Sequence, residues 1–196
     1  MEQLNIQSIL RLQGTVFSFK ELLLSSCVEK PELLKRRLHY YVQQGELYSI
    51  RRGLYAKDKN YDRRELATKI FIPAYISFET VLAQAGVVFQ WHQQLFVATY
   101  QTKEVVCDGA TFVFKKIKDT ILLNNFGIEN RGGYCIATPE RAFLDVLYLN
   151  KDYHFDNLGP LDYQKILELL PAYGNKRMGQ RVSAYFKAFN SDRSVV

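Results

Sequence analysis

Apolar residues recur at helical spacing in three short stretches of the first 45 residues. The first stretch covers residues 4–12 and ends at Gly14, the second follows Ser18, and the third begins near Pro31. Spacing of three and four residues between apolar positions is typical of amphipathic helices. Thr15-Val16-Phe17, between the first two stretches, has the composition of a short strand. The pattern therefore predicts three helices, with a strand between the first and the second.

Helix start signals support the second and third helices. Ser18 and Glu21 have the spacing of a capping box, in which each side chain accepts from a backbone N–H of the other. Pro31 suits a first helical position because its missing N–H needs no partner there. On a helical wheel, the third helix has an apolar face made by Leu34, Leu38, Tyr41 and Val42. The opposite face carries Arg36, His39, Tyr40 and Gln43, with Lys35 on the flank.

A short basic hairpin is predicted directly after the third helix. Gly45 is a natural residue to end that helix, and two short strands follow near 47–50 and 54–56. Arg51-Arg52-Gly53 forms the turn between them. Three helices followed by a basic hairpin are typical of a winged helix-turn-helix. Residues 1–58 are therefore predicted to form a DNA-binding domain.

The remainder of the chain mixes helical and strand patterns. The polar segment Lys57–Tyr61 is interpreted as a linker, so that a second domain covers residues 59–196. Asp108-Gly109 stands between two strand-like runs and suits a type I′ hairpin turn. Helices are expected at 62–69, 77–86, from 138 onward, at 162–170 and at 176–189, and strands at 96–100, 104–107, 111–114 and 134–137. The predicted fold class is α+β, with an N-terminal winged helix-turn-helix and a C-terminal mixed α+β domain.

Several residues of this second part are expected to have defined structural roles. Asp62, Ser77 and Thr138 are predicted helix N-caps, and Glu65 is expected to reach back to the start of its own helix as the partner of Asp62. Arg141 is expected to form a buried structural salt bridge.

The distribution of charge points to an anionic partner. The chain has 196 residues and a formal net charge of +6. Lys30 to Lys57 contains seven basic and two acidic residues, so 7 − 2 = +5 of that charge lies in this short region. A basic excess favours nucleic acid or other phosphate-rich ligands, although many ordinary domains are mildly basic.

Winged helices place one helix in the major groove and a basic hairpin near the phosphate backbone or minor groove. The predicted contacts with double-stranded DNA are Lys30, Lys35, Arg36, His39, Gln43, Arg51 and Arg52. Within this set, Lys35, Arg36, His39 and Gln43 would read or flank bases, and the others would contact phosphate or the minor groove. One alternative is a solvated helix face on which Glu32 and Arg36 form an ordinary ion pair. Another is a protein-interaction module, in which the winged helix binds protein.

Disulfides, metal sites and cofactors have no support in the sequence. The three cysteines, an odd number, show no C-x-x-C spacing. The three histidines form no H-x-H or H-E-x-x-H motif. The cysteines are Cys27, Cys107 and Cys135, and the histidines are His39, His92 and His154. We therefore expect no cofactor and no bound metal.

Motifs for catalysis are also missing from the sequence. No D/E-x-K follows a suitable strand, and G-x-S-x-G, Walker A and G-x-G-x-x-G motifs do not occur. The chain is therefore predicted not to be an enzyme, although a DNA-processing enzyme with a winged-helix targeting domain remains the alternative. No apolar run reaches the ~18 to 20 residues of a membrane span, and the first residues do not have the pattern of a signal peptide. A cytoplasmic protein without membrane contact is expected.

The aromatic segment Phe89-Gln90-Trp91-His92 has two interpretations. If it is exposed, it could anchor a protein partner. If it is buried, it closes the core of the second domain.

Two motifs give the chain a family resemblance. Residues 48–56 (YSIRRGLYA) and 136–145 (IATPERAFLD) resemble the hairpin and the C-terminal I-A-T-P-E-R-A motif of the AbiEi antitoxins of type IV toxin–antitoxin systems. Residues 76–86, between them, are similar to the family's strand-to-helix passage. The order and spacing of these segments cover nearly the whole chain.

The resemblance implies a function for each predicted domain. It implies a sequence-specific transcriptional autorepressor, whose winged helix binds inverted repeats in its own promoter. It also implies a C-terminal domain required for antitoxicity and for full repression, with a nucleotidyltransferase-like toxin as the functional partner. Proteins of this architecture also occur as transcriptional regulators without an evident toxin.

Overall fold

The computed structural model describes residues 6–26 and 30–193. The helices are α1 (Ile6–Arg11), α2 (Phe19–Ser25), α3 (Pro31–Gln43), α4 (Arg63–Ile70), α5 (Phe78–Gln84), α6 (Asp119–Leu122), α7 (Pro139–Leu149), α8 (Tyr163–Leu169) and α9 (Lys176–Arg193), with a 3-10 helix at Leu170–Tyr173. The strands are β1 (Val16–Ser18), β2 (Tyr48–Arg51), β3 (Leu54–Ala56), β4 (Ala74–Ile76), β5 (Leu95–Thr99), β6 (Lys103–Cys107), β7 (Ala110–Lys116), β8 (Ile128–Asn130) and β9 (Cys135–Ala137). The predicted α+β class is confirmed.

Helices α1, α2 and α3 and strands β1, β2 and β3 form the N-terminal layer. The strands make an antiparallel sheet in the order β1-β3-β2, with Val16 opposite Ala56. The ladder between β2 and β3 shifts register between Ser49 and Arg51. The helices and one face of the sheet enclose a small core of Ile9, Phe17, Leu22, Leu34, Leu38 and Leu47.

A six-stranded mixed sheet organises the rest of the chain, which we call the C-terminal layer (residues 61–193). Its strand order is β6-β7-β5-β4-β9-β8, with β5 parallel to β7 and β4 parallel to β9. Side chains of adjacent strand positions enter two different cores, as alternation along a strand requires. Phe96 and Ala98 join the core that contains α5, α7, α8 and α9, whereas Val97 and Phe112 face the other way.

The two layers share one hydrophobic core. Val16, Leu54 and Ala56 from the N-terminal sheet pack with α4 and with the outer face of the six-stranded sheet. The N-terminal sheet is therefore covered on both faces, by its own helices on one side and by the C-terminal layer on the other. Tyr61, in the segment interpreted as a linker, is buried in this shared core. The boundary between residues 58 and 59 stays a prediction.

Glu65 does not cap its own helix as predicted. Its carboxylate Oε2 instead accepts hydrogen bonds from the backbone N–H groups of Thr15 (2.6 Å) and Val16 (2.9 Å) at the start of β1. The backbone N–H of Asp62 is satisfied by Thr15 Oγ1 at 2.8 Å, so it does not need Glu65. Gly133 permits this packing, because a Cβ there would lie 2.5 Å from Glu65 Cδ.

Ser77 also differs from its predicted role. It precedes α5, but its side chain caps no backbone N–H and donates to Asp145 Oδ2 at 2.7 Å. The other predicted caps are confirmed, because Asp62 and Thr138 accept from their own helices. The capping box of Ser18 and Glu21 is likewise present in both directions.

The predicted buried salt bridge of Arg141 is confirmed. Arg141 and Asp145 are both fully buried, and Arg141 Nε lies 3.4 Å from Asp145 Oδ1. The carboxylate also accepts from Tyr75, Ser77 and Tyr173. Burial raises the pKa of Asp145, and the Arg141 charge and these hydrogen bonds oppose that rise. The IATPERAFLD motif therefore contributes a packed polar network to the core.

No helix within residues 6–26 and 30–193 is long and apolar enough to cross a membrane.

Candidate nucleic-acid interface

Helix α3 has the two faces that its sequence predicts. Leu34 and Leu38 are fully buried in the core of the N-terminal layer, and Tyr41 and Val42 pack against that core. The predicted contact residues of the other face, Lys35, Arg36, His39 and Gln43, are all exposed. Helix α3 is 13 residues long, which corresponds to about 20 Å. Lys30, immediately before the helix, is exposed as well.

The β2–β3 turn presents the other two predicted contacts. Arg51 ends β2 and Arg52 follows it in the turn, and both side chains are exposed. Gly53 closes the turn at φ +80°, a left-handed conformation that glycine adopts without the strain of a Cβ. The short turn therefore places two neighbouring guanidinium groups in solvent.

The first turns of α3 and the β2–β3 turn both contact Phe19, the first residue of α2. The backbone N–H of Phe19 donates to Gly53 O at 2.8 Å, which ties the turn to the start of α2. Lys35 Nζ lies 5.9 Å from the centre of the Phe19 ring. The structure therefore brings the basic start of α3 close to the arginine turn, although the two are far apart in sequence.

Charges on this surface are largely uncompensated. Arg36, Arg51 and Arg52 form no hydrogen bond or ion pair with any residue that the structure describes. Glu32 pairs with Lys35 at 2.9 Å, and not with Arg36 as the alternative interpretation of this helix had it. The hydrogen bond from Lys35 lowers the pKa of Glu32. Because both partners are exposed, such a pair contributes about 0–1 kcal/mol, and phosphate could compete for Lys35.

A polar cluster beside β2 was not found from the sequence. Asp108, at the tip of the β6–β7 hairpin, accepts hydrogen bonds from Tyr48 (3.0 Å) and Tyr61 (2.8 Å). The exposed Lys59 places its Nζ 5.9 Å from the centre of the Tyr48 ring, which adds a cation beside β2. The Asp-Gly pattern predicted the hairpin turn correctly, but no local signal indicated its partner across the layers.

The aromatic segment of residues 89–92 is largely exposed. Phe89 is 70% exposed and Trp91 is 80% exposed. Exposure fits the first of the two interpretations of this segment, and its use as a partner anchor stays a prediction.

The part of the chain that the structure covers contains no candidate metal site and no disulfide. There, no three His, Cys, Asp or Glu side chains are grouped so that they could hold a metal ion. Cys107 and Cys135 are free thiols, and Cys27 lies outside the described residues. Burial raises the pKa of the Cys107 thiol, although the nearby Arg51 opposes that rise.

Comparison with protein-family models finds no match for this chain, and no curated protein matches it.

Proposed function

We propose that this chain is a sequence-specific DNA-binding transcriptional regulator whose N-terminal layer is a winged helix-turn-helix. The observation that carries the proposal is that two basic elements both contact Phe19. One is the exposed face of α3, and the other is the arginine turn between β2 and β3. The order α1-β1-α2-α3-β2-β3 and the antiparallel sheet β1-β3-β2 support the same interpretation.

Helix α3 would enter the major groove. The groove is about 12 Å wide and admits one helix. Arg36, His39 and Gln43 are spaced by three and four residues on an exposed face, so they would meet base edges together. Arginine can bind the O6 and N7 atoms of guanine with two hydrogen bonds, and glutamine can bind adenine in the same way.

The β2–β3 hairpin would contact the sugar–phosphate backbone or the minor groove beside the helix. Arg51 and Arg52 lie on a tight turn, where they reach phosphate more easily than base edges. Lys30 and Lys35 would add phosphate contacts near the start of α3. These contacts would supply affinity and position the helix, while the face of α3 would supply sequence preference.

The biological role that we propose is that of an autorepressor and type IV antitoxin. Its support is the resemblance of residues 48–56 and 136–145 to the AbiEi antitoxins. The DNA target would be inverted repeats in the chain's own promoter, and the functional partner would be a nucleotidyltransferase-like toxin. The chain would have no catalytic activity of its own.

A binding measurement tests the DNA-binding part. The whole chain is titrated by fluorescence anisotropy into a duplex from its own promoter and into a scrambled duplex, at several salt concentrations. We expect tighter binding to the promoter and a steep loss of affinity with salt, because phosphate contacts release counterions. Lys35→Ala/Arg36→Ala/Arg51→Ala/Arg52→Ala should abolish this preference.

The matched control removes cations elsewhere. Lys103, Lys118, Lys151 and Lys187 are exposed in the C-terminal layer, so replacing all four by alanine should leave promoter binding close to wild type. Binding that does not depend on salt would contradict a DNA surface and favour a protein-binding role for this layer. Equal loss in both sets of variants would place the DNA surface elsewhere on the molecule.

Two further assays separate the alternatives for the biological role. Co-expression with the neighbouring gene should relieve that gene's toxicity if the chain is an antitoxin. No effect on growth, together with intact promoter binding, would favour a regulator without a toxin partner. Metal-dependent cleavage of the bound duplex by the purified chain would favour the DNA-processing enzyme instead.

A further inference from the structure

Strand β2 is an edge strand that receives support from outside its own sheet. In the order β1-β3-β2 it pairs only with β3, and its ladder shifts register between Ser49 and Arg51. A four-residue edge strand with an irregular ladder holds its own orientation weakly. This strand leads directly into the turn that presents Arg51 and Arg52. Its orientation therefore matters for the proposed DNA surface.

The tip of the β6–β7 hairpin supplies that support. Asp108 Oδ1 accepts from the Tyr48 hydroxyl at the start of β2, and Asp108 Oδ2 accepts from the Tyr61 hydroxyl. The rings of Tyr48 and Tyr61 stack, with their centres 6.3 Å apart. Asp108 adopts φ +51° and Gly109 adopts φ +71°, as a type I′ turn requires. The backbone of the turn therefore fixes the direction in which the carboxylate points.

Asp108 also changes how readily the two tyrosines ionise, and apolar packing adds to its hydrogen bonds. The hydrogen bond to Asp108 raises the pKa of Tyr48, and burial together with Asp108 raises that of Tyr61. Tyr48 and Ile50 of β2 pack against the shared core, to which Cys107 and Ala110 of the hairpin belong. The hairpin tip therefore lies beside β2. Such apolar packing is not directional, whereas the hydrogen bond from Tyr48 to Asp108 fixes the position of the start of β2.

We propose that Asp108 is a positioning residue for DNA binding, which holds β2 so that the Arg51–Gly53 turn faces the phosphate backbone. The C-terminal layer would thus set the affinity of a surface that it does not itself form. This inference rests on the proposed function.

Asp108→Gly tests the inference most simply. Glycine accepts the positive φ of this position, so the substitution removes the carboxylate without backbone strain. Removing a negative charge would by itself strengthen binding to DNA. We nevertheless expect binding to the promoter duplex to weaken about threefold to tenfold. The log–log salt slope should fall by about 1 to 2, as expected if one or two phosphate contacts are lost. Asp152→Gly, which removes an exposed carboxylate of the C-terminal layer, is the charge control and should not weaken binding.

A double-mutant cycle separates positioning from a general loss of structure. If Asp108 acts through the arginine turn, adding Asp108→Gly to Arg51→Ala/Arg52→Ala should cause no further loss. Asp108→Asn tolerates positive φ, and its carbonyl oxygen can accept from Tyr48 while its amide N–H donates to the Tyr61 hydroxyl oxygen, so it should retain most of the affinity. Tyr48→Phe/Tyr61→Phe removes only the two hydroxyl groups and should reproduce the Asp108→Gly result. If circular dichroism shows that Asp108→Gly does not fold, the Tyr48→Phe/Tyr61→Phe variant is used for the test in its place.

The possible outcomes are distinguishable. Wild-type-like or tighter binding by folded Asp108→Gly, or a loss that adds fully to that of the arginine variant, would overturn the positioning role and leave the proposed function intact. A wild-type chain without salt-dependent DNA binding would overturn both.

Discussion

Replacing Glu65 by alanine should destabilise the whole protein, because its carboxylate makes two of the hydrogen bonds between the two layers. Its Oε2 atom accepts from both Thr15 and Val16. Leaving a buried donor without a partner costs about 1–3 kcal/mol. The Val16 N–H is buried and would bear that cost in full, whereas the half-buried Thr15 N–H could gain a water. We therefore expect Glu65→Ala to lower the free energy of unfolding by about 3 kcal/mol.

Glu65→Gln is the matched variant for this measurement. Because one oxygen atom accepts both hydrogen bonds, a glutamine carbonyl placed there keeps them and loses only the charge. Hydrogen bonds to charged groups are stronger than neutral ones, so a loss of about 1 kcal/mol is expected. Urea unfolding of the wild type and both variants measures the difference directly. Equal losses in the two variants, or an alanine variant within about 0.5 kcal/mol of wild type, would refute the reasoning.

Gly133 gives an independent check on the same contact. A Cβ at residue 133 would meet Glu65 Cδ at 2.5 Å, so Gly133→Ala must displace the carboxylate from Thr15 and Val16. We expect Gly133→Ala to be destabilising in the wild type and nearly neutral once Glu65→Ala has removed the obstacle. If the losses in unfolding free energy of the two single variants simply added in the double variant, the Glu65 carboxylate would not be the group that requires glycine at residue 133.

Four further predictions concern the DNA surface and the ion pairs. Arg51→Ala/Arg52→Ala should weaken binding to every duplex and lower the salt slope by about 1 to 2, and an unchanged slope in the folded variant would contradict the assigned phosphate contacts. Arg36→Ala should cost about 1–3 kcal/mol on the promoter duplex and less on a scrambled one, and equal losses would make Arg36 a phosphate contact instead. Burial would raise the pKa of Glu21, but hydrogen bonds from Lys69 and the Ser18 backbone lower it below its ordinary value. The ionised Glu21 side chain should therefore stabilise the fold above about pH 4.5, and this stabilisation should be lost as the pH falls through the lowered pKa. Unfolding at a series of pH values should therefore show Glu21→Gln converging with wild type in acid, and a constant difference would argue against this ion pair. Arg141→Ala should lower the free energy of unfolding by about 3–5 kcal/mol, because it leaves the Asp145 carboxylate buried without its cation, and a loss below about 1 kcal/mol in urea unfolding would contradict that role.

Local signals in the sequence predicted most of the elements. The capping box of Ser18 and Glu21, Pro31 at the start of α3 and the Asp-Gly turn all act within a few residues, so their patterns can be recognised directly. The helical wheel of α3 also separated its buried and exposed faces correctly. These predictions succeeded because the partners of each residue lie within one or two turns of chain.

Contacts between the layers could not be predicted in this way. Glu65 has the spacing of a capping residue, yet its partners lie about 50 positions earlier in the chain. Ser77 likewise stands at a cap position and bonds to Asp145, 68 residues away. In both cases the side chain is oriented by a partner that is distant in sequence and not by the start of its own helix. Tyr61 is buried despite its polar neighbours, because its position is determined by the shared core and not by its segment.

In the candidate site, too, local features could be predicted from the sequence and contacts between distant segments could not. The sequence predicted which residues of α3 and the hairpin turn are exposed. It did not predict that both contact Phe19, or that Asp108 bonds to β2 from the C-terminal layer. Those relations depend on how the elements pack, which the spacing of residues does not encode.

Hydrogen exchange of the whole chain, with and without the promoter duplex, tests the central claim most directly. If α3 enters the major groove beside the β2–β3 hairpin, DNA should slow exchange in peptides covering residues 31–43 and 48–56. Peptides from α8 and α9 should exchange at the same rate in both states. Protection confined to the C-terminal layer, with α3 and the hairpin unchanged in a saturated complex, would contradict the account.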